Sequence, residues 1–353
     1  MLGKTCLVTG GAGFIGCALS TLLAETFETL VVVDNLHPQV HPSATPPDSL
    51  DPRAKFVLGD VTEESTWDGV LAEYRPDVII HLAAETGTGQ SLSEAARHGR
   101  VNVVGTTVML DALVRFEIHP RHIVLSSSRA VYGDGAWQGE AGRVFYPGQR
   151  TRALLDAGTW DHEDGHYVPA SHVGTVPHPT SVYGATKLAQ EHILEAWCTA
   201  FDSRLSILRF QNVYGPGQSL INSYTGIVVL FARLAREGKS IPLYEDGQMI
   251  RDFVFIDDVA RAIRDTVKNP PPSVRRVDIG SGIPTTIATV ATFIANHYKA
   301  PDPVVCGRFR HGDVRHASCD PSGWSDLPGW QPRVALEEGL TRLVDWIERE
   351  GKL

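Results

Sequence analysis

Short apolar runs alternate with amphipathic helical stretches across the first 210 residues, and this predicts an α/β protein built on a doubly wound parallel sheet. Two further observations support it. A glycine-rich turn, Gly10-Gly11-Ala12-Gly13-Phe14-Ile15-Gly16, joins the first apolar run to the first helical pattern. Beyond residue 210 the pattern becomes mixed, which predicts a smaller α/β domain in the C-terminal part. The expected division is 1–210, with an insertion at 134–178 and some of the sheet completed by about 250–282, and 211–353.

The elements follow in order. Residues 4–9 read as a strand, and a helix runs from the glycine turn to about Glu25. Glycines let a backbone approach a pyrophosphate, and a helix N-terminus offers N–H groups and positive potential, so Gly10, Gly13, Phe14, Ile15 and Gly16 form a candidate dinucleotide cradle. A second apolar run, Leu30–Val33, ends at Asp34. A carboxylate there suits the ribose hydroxyls of NAD and repels the extra phosphate of NADP, and its neighbours Asn35 and Leu36 offer no arginine to hold that phosphate. Residues 37–54 read as a loop. Phe56–Leu58 is a strand followed by Asp60 and Val61, with the acid placed to meet an adenine amino group. Val78–Ala84 is a buried strand ending in Leu82, Ala83 and Ala84, small enough to let a cofactor pass. The loop Glu85–Ser91 then lies where open α/β sheets bind ligands. Asn102–Phe116 reads as a helix and His122–Leu125 as a strand leading into Ser126-Ser127-Ser128-Arg129. Residues 134–178 show no clear periodicity, and a long stretch of that kind reads as a lid or specificity element.

The next stretch, SVYGATKLAQEHI, carries the chemistry. Tyr183 and Lys187 share a helix face at i and i+4. A free phenol is a poor base at neutral pH, and a nearby cation favours its ionised form, so Tyr183 is a candidate general base or acid. Leu205–Phe210 is a strand, and Gln211–Pro216 reads as the turn that ends it. Gly226–Glu237 is a helix, and Leu243–Gly247 and Arg251–Phe255 read as short strands. Asp257-Asp258 caps a helix to about Lys268. Arg276–Ile279 is a strand, Thr285–Tyr298 a helix, Arg308–Asp313 a basic turn, and Leu336–Arg349 the closing helix.

Bulk properties exclude several roles. Lys and Arg total 32 against 41 Asp and Glu, a net charge of −9, which argues against general binding of nucleic acid or anionic membranes. The 5 cysteines are scattered without a CxxC, so neither a disulfide framework nor a zinc site is expected, and His162, His166, His172 and His178 lack metal-ligand spacing. No apolar run is long enough for a membrane span and no signal peptide is evident, so the cytoplasm is the expected compartment.

Taken together, TGGAGFIG, Asp34, GDV at 59–61, HLAA at 81–84, SSSRAVYG, YGATK, LRFQNVYGP and RDFVFIDDV resemble the extended short-chain dehydrogenase/reductase superfamily, in its NAD-dependent nucleotide-sugar epimerase/dehydratase branch. The resemblance covers essentially the whole chain. It implies an NAD-binding Rossmann domain followed by a nucleotide-sugar-binding domain, with NAD tightly bound. It implies Ser128, Tyr183 and Lys187 as the catalytic set, and Asn102 near the cofactor or the Lys187 network. Asn212 and Arg251 match positions that hold the nucleotide diphosphate, and Arg310 and Asp313 match phosphate and ribose contacts; arginine suits bidentate phosphate binding. Thr86, Thr88, Gln90, Ser128 and Arg129 are candidate sugar contacts. A homodimer built on a four-helix bundle, from the helices near 102–116 and 183–200, is implied as well.

The 4,6-dehydratases of this branch carry an Asp-Glu pair immediately after the catalytic Ser/Thr, and here those positions are Arg129 and Ala130. That departure favours an epimerase. ETGTGQS, the long 134–178 segment and GQSLINSYTGI (217–227) are similar to a subgroup of dTDP-L-rhamnose 4-epimerases, although relatives with CxxC pairs in the insert have no counterpart here. The expected reaction is therefore C4 epimerisation of a nucleotide-diphosphate hexose through a transient 4-keto sugar. A reductase acting on a 4-keto nucleotide sugar, another dehydratase-type reaction, and a non-catalytic NAD-binding scaffold stand as alternatives.

Overall fold

The computed structural model describes residues 4–350 except 163 and 222–225, so Asn222–Thr225 of the GQSLINSYTGI stretch lie outside the described residues. Seven parallel strands form the central sheet: β1 (Thr5–Thr9), β2 (Thr29–Asp34), β3 (Lys55–Leu58), β4 (Val78–His81), β5 (His122–Ser128), β6 (Arg204–Phe210) and β7 (Val274–Ile279). Their order is β7-β6-β5-β4-β1-β2-β3, so the chain reverses direction between β1 and β4. Successive residues of a strand face opposite sides, and here both sides are buried. Val8, Ile80, Val124 and Leu208 pack with Leu19, Leu23, Val259 and Ile263 on one face. Leu7, Ile79, Ile123 and Ile207 pack with Trp67, Val70, Met109, Leu113 and Leu194 on the other. That is why these strands read as continuous apolar runs.

The elements fall close to expectation, and the exceptions have local causes. The Asn102–Phe116 helix is regular only over Gly105–Arg115, because Gly99–Val104 forms a wider π turn, a distortion common at functional sites. Gln211–Pro216 is not only a turn: Asn212–Tyr214 is a strand, parallel to Ile250–Phe255, which pairs antiparallel with Pro284–Thr286. Of the Leu243–Gly247 strand only Pro242–Leu243 is extended, against Val304–Val305, and Tyr244–Gly247 closes a turn. Phe255, not Asp257 or Asp258, caps Ile256–Lys268; both acids sit in its first turn, favourably placed for the helix dipole. Asp258 also accepts hydrogen bonds from Arg333 N and Val334 N, tying down the segment before the closing helix Leu336–Glu350.

The 134–178 segment is structured. Val144–Phe145, Trp137–Gln138 and His166–Tyr167 form a small antiparallel sheet, and Arg152–Asp156 is a short helix. Strands of two residues leave no periodic trace in a sequence. Buried charge docks this unit onto the C-terminal region. Arg150 makes two 2.8 Å bonds to Glu245, whose carboxylate also meets Arg315 at 3.1 Å. Arg315 reaches Asp161 and Asp246 as well, and Arg150 donates to the Asp313 carbonyl at 2.9 Å.

Arg150 and Glu245 are 2% and 1% exposed, so removing one charge strands the other in a medium that solvates it poorly. Glu245→Gln is expected to destabilise the protein by roughly 3–5 kcal/mol, read as a lower urea midpoint. A loss below about 1 kcal/mol would mean that this network does not hold the insert.

Candidate functional site

Ligands bind open α/β sheets beyond the carboxyl ends of the strands, where the strand order reverses. A cleft of about 560 Å³ opens there. Its floor is the turn after β1. Gly10 has φ +65°, and a Cβ there would lie 2.7 Å from Ala83 N; a Cβ at Gly16 would collide with the Gly11 carbonyl. The helix Phe14–Ala24 begins at Gly13 without a side-chain cap, which leaves its first N–H groups facing the cleft.

Asp34 ends β2 in the cleft wall. Its carboxylate accepts Ala12 N at 3.0 Å and Leu36 N at 2.9 Å, with His41 Nε2 at 3.7 Å. Asn35, Asp60, Val61, Leu82, Ala83 and Ala84 line the same wall. Burial raises the Asp60 carboxyl, but hydrogen bonds from Thr62 and Asn35 outweigh it, and the net result lies below the usual range. A glycine-floored cradle, a row of helix N–H groups and a carboxylate at the end of the second strand fit the pyrophosphate and adenosine ribose of NAD. Gly16 packs the helix against the turn instead of facing the cleft.

Across the cleft stand Ser128, Arg129, Tyr183 and Lys187. Ser128 is the last residue of β5 and accepts Ala130 N at 3.2 Å. Tyr183 lies in the first turn of Val182–Ala200, capped by Ser181. Lys187, 2% exposed, donates to the Ser126 carbonyl at 2.9 Å. Burial pulls the Lys187 ammonium down to about 7, against the opposing charge of Glu191. Burial raises the Tyr183 phenol, and two groups pull it back: the hydrogen bond with Ser128 and the charge of Arg129. Arg129 thus adds a second cation beside Tyr183, alongside the expected Lys187, whose ammonium is held by the strand carbonyl of Ser126.

Arg129 and Arg251 line the same cleft. Burial, and then the charge of Arg251, lowers Arg129 to about 10; burial lowers Arg251 too. Asp313 partly offsets both. Arg251 is anchored by its bonds to the carbonyls of Ile250 and Arg315. Exposed Arg310 stacks on Tyr244, 5.1 Å from the ring, and with Asn212 and Asp313 completes this end of the cleft. Two crowded guanidinium groups make a strong attractor for an anion.

Thr86 and Thr88 line the cleft. Gln90 does not: its amide is spent on Gln39 and Glu94, 2% exposed, because a helical turn starts there and swings it inward. Asn102 is also outside the cleft. It accepts Glu85 N at 2.8 Å and donates to Glu85 O and Thr186 Oγ1, so it clamps the ligand-facing loop to the Tyr183 helix. Sequence reasoning missed three contributors. His98 lies edge-on to Tyr183, 6.4 Å between rings, and reaches the Thr86 carbonyl at 3.3 Å. Arg209 pairs with Glu191 behind Lys187. Gln211 sits in the wall beside Arg129. Arg209 and Gln211 lie within LRFQNVYGP and His98 in no motif, but only the fold shows what each of them touches. Among the described residues no group of three or more His, Cys, Asp or Glu is arranged to hold a metal ion, and no helix is long and apolar enough to cross a membrane.

A seven-stranded doubly wound sheet with a dinucleotide cradle and a Ser–Tyr–Lys set at the switch edge defines an NAD-binding protein of the short-chain dehydrogenase/reductase type. The sequence matches the NAD dependent epimerase/dehydratase family over residues 6–280. It is 58% identical over 348 residues to a dTDP-L-rhamnose 4-epimerase of Burkholderia thailandensis, covering 99% of this chain and 96% of that one. The fold is similar to a UDP-glucose 4-epimerase of Thermotoga maritima solved with UDP-glucose (TM-score 0.81, 27% identity, 99% and 100% of the two chains). It is also similar to one of Thermus thermophilus in complex with NAD (TM-score 0.76, 26% identity, 99% and 100%). The chain belongs to the NAD dependent epimerase/dehydratase family, and its cofactor is NAD.

Removing Arg129 removes a cation that favours the Tyr183 phenolate. Arg129→Met is therefore expected to raise the Tyr183 pKa and move the acid limb of the pH–kcat/KM profile to higher pH. An unmoved limb would assign Arg129 to ligand binding alone.

Proposed function

We propose that the protein interconverts the C4 epimers of a nucleotide-diphosphate hexose, with a dTDP-6-deoxy-L-hexose such as dTDP-L-rhamnose as the preferred substrate. The observation that carries this reading is the pairing at one sheet edge of a Ser–Tyr–Lys set with Arg129, where an acid would serve dehydration. The 58% identity to a dTDP-L-rhamnose 4-epimerase supports the choice of sugar.

Gly10, Gly13, Phe14, Ile15, Asp34, Asn35, Asp60, Val61 and Leu82–Ala84 would hold NAD, which when bound supplies reversible acceptance of the sugar's C4 hydride. Tyr183 takes the O4 proton and later returns it. Ser128 holds O4 and, through its bond to Tyr183, orders the path of that proton. Arg129 favours the phenolate as it forms. Lys187, held by Ser126, keeps a positive charge at the cofactor side of the phenol. Asn212, Arg251 and Arg310 keep the diphosphate in place while the 4-keto sugar presents its other face, and Asp313 meets the nucleotide ribose. Thr86 and Thr88 border the space in which the sugar turns.

The exposed side chains of Val104 and Val114 on the 99–115 helical run, beside the Val182–Ala200 helix, support a homodimer through a four-helix bundle. The absence of a membrane-crossing helix among the described residues accords with a cytoplasmic enzyme.

Purified protein incubated with dTDP-L-rhamnose, UDP-glucose or UDP-N-acetylglucosamine without added NAD is expected to form a C4 epimer, read by NMR, with dTDP-L-rhamnose turned over fastest. Tyr183→Phe should lose about 10²–10⁴-fold in kcat with an unchanged melting temperature. Turnover only when reduced cofactor and a 4-keto sugar are supplied would establish the reductase instead.

A further inference from the structure

We propose that Gln211 is a further side chain that binds the hexose, holding a sugar hydroxyl in both orientations of the ring; this rests on the nucleotide-sugar reading above. Gln211 is the first residue beyond β6. The register pairs Ser128 with Phe210, so Gln211 emerges beside Arg129 at the same sheet edge. Its backbone is fixed by Gln211 N donating to the Ile279 carbonyl at 2.9 Å. The residue is 5% exposed, and neither Oε1 nor Nε2 has a hydrogen-bond partner.

An unpaired buried amide costs about 1–3 kcal/mol per polar group, and a leucine or methionine would fill the same space without that cost. Gln211 is one of the residues that line the cleft, together with Ser128, Arg129 and Tyr183, and its amide lies just beneath that surface. Its other flank borders a pocket of about 10 Å³ shared with Arg129, Tyr167, His316 and Ser318. That space takes at most one water, which cannot satisfy both ends of an amide with two donor hydrogens and two acceptor lone pairs.

Position points to the sugar. On one side stand Ser128 and Tyr183, which act at O4. On the other, one residue along the chain, is Asn212, at the diphosphate end with Arg251. Whatever joins those two points passes Gln211, and in a nucleotide sugar that is the hexose. An amide both donates and accepts, as does a hydroxyl. It can therefore meet a hydroxyl presented from either face, which a turning 4-keto sugar requires and a carboxylate or an ammonium could not offer equally.

The test compares wild type, Gln211→Leu and Gln211→Met in the NAD-free epimerisation of dTDP-L-rhamnose, with melting temperature and the Kd for dTDP measured alongside. The expected result is a fall of about 10–100-fold in kcat/KM, with an unchanged or higher melting temperature and an unchanged Kd for dTDP. Activity within twofold of wild type in both variants would overturn the proposal and leave Gln211 with a buried water only. A fall in activity matched by weaker dTDP binding and a lower melting temperature in both would overturn it in favour of a packing role. Wild-type protein that turns over none of the nucleotide sugars tested above would overturn the reading beneath it, and this proposal with it.

Discussion

The ion pair between Arg209 and Glu191 stands behind the proposed catalytic residues and fixes where they are. Both side chains are buried, at 3% and 2% exposure, and joined by two hydrogen bonds. Glu191 is one helical turn beyond Lys187 and also receives the Ser127 hydroxyl. Arg209 continues to the Tyr132 hydroxyl at 2.8 Å, and Tyr132 donates to Asp278 of β7. One network thus ties the Tyr183 helix to β5, β6 and β7. A buried ion pair of this kind adds little net stability, but its geometry is demanding and it is costly to break. Here the demand falls on the placement of Ser128 and Lys187, each a residue or a turn away from a member of the network.

A second arrangement of charge governs the other end of the cleft. The chain is acidic overall, yet Arg129, Arg251 and Arg310 converge where Asn212 and Asp313 close the wall. The charge of Arg251 adds to burial in lowering the basicity of Arg129. The Arg150–Glu245–Arg315 network holds the strap that carries Arg310 and Asp313, because Arg150 grips the Asp313 carbonyl. The 134–178 insertion therefore bears on the proposed site indirectly: it is the platform on which the strap carrying Arg310 and Asp313 rests.

Much of this was legible in the sequence because the signals were local. The glycine turn, Asp34 and the Tyr183–Lys187 spacing depend on neighbours a few residues away, and the buried strands announce themselves as apolar runs. The insertion was not legible, since its strands are two residues long and its anchoring partners lie far along the chain. The same reason hid Gln211 and His98: each acquires meaning only when a distant segment closes over it. Gln90 was misassigned because a loop reading gave no account of the helical turn that directs it toward Gln39. Helical spacing shows that Tyr183 and Lys187 share a face, but not that the Ser126 carbonyl will accept the Lys187 ammonium.

The central claim is that the hydrogen at C4 leaves the sugar and comes back to it while the carbon skeleton turns. It is tested most directly with dTDP-L-rhamnose carrying deuterium at C4, incubated with the protein in ordinary water without added cofactor. The account predicts a C4 epimer that keeps its deuterium at C4. Epimer with that deuterium washed out into solvent would contradict it, because the stereocentre would then have been inverted by deprotonation at carbon, chemistry that this arrangement of Ser128, Tyr183 and Lys187 does not provide.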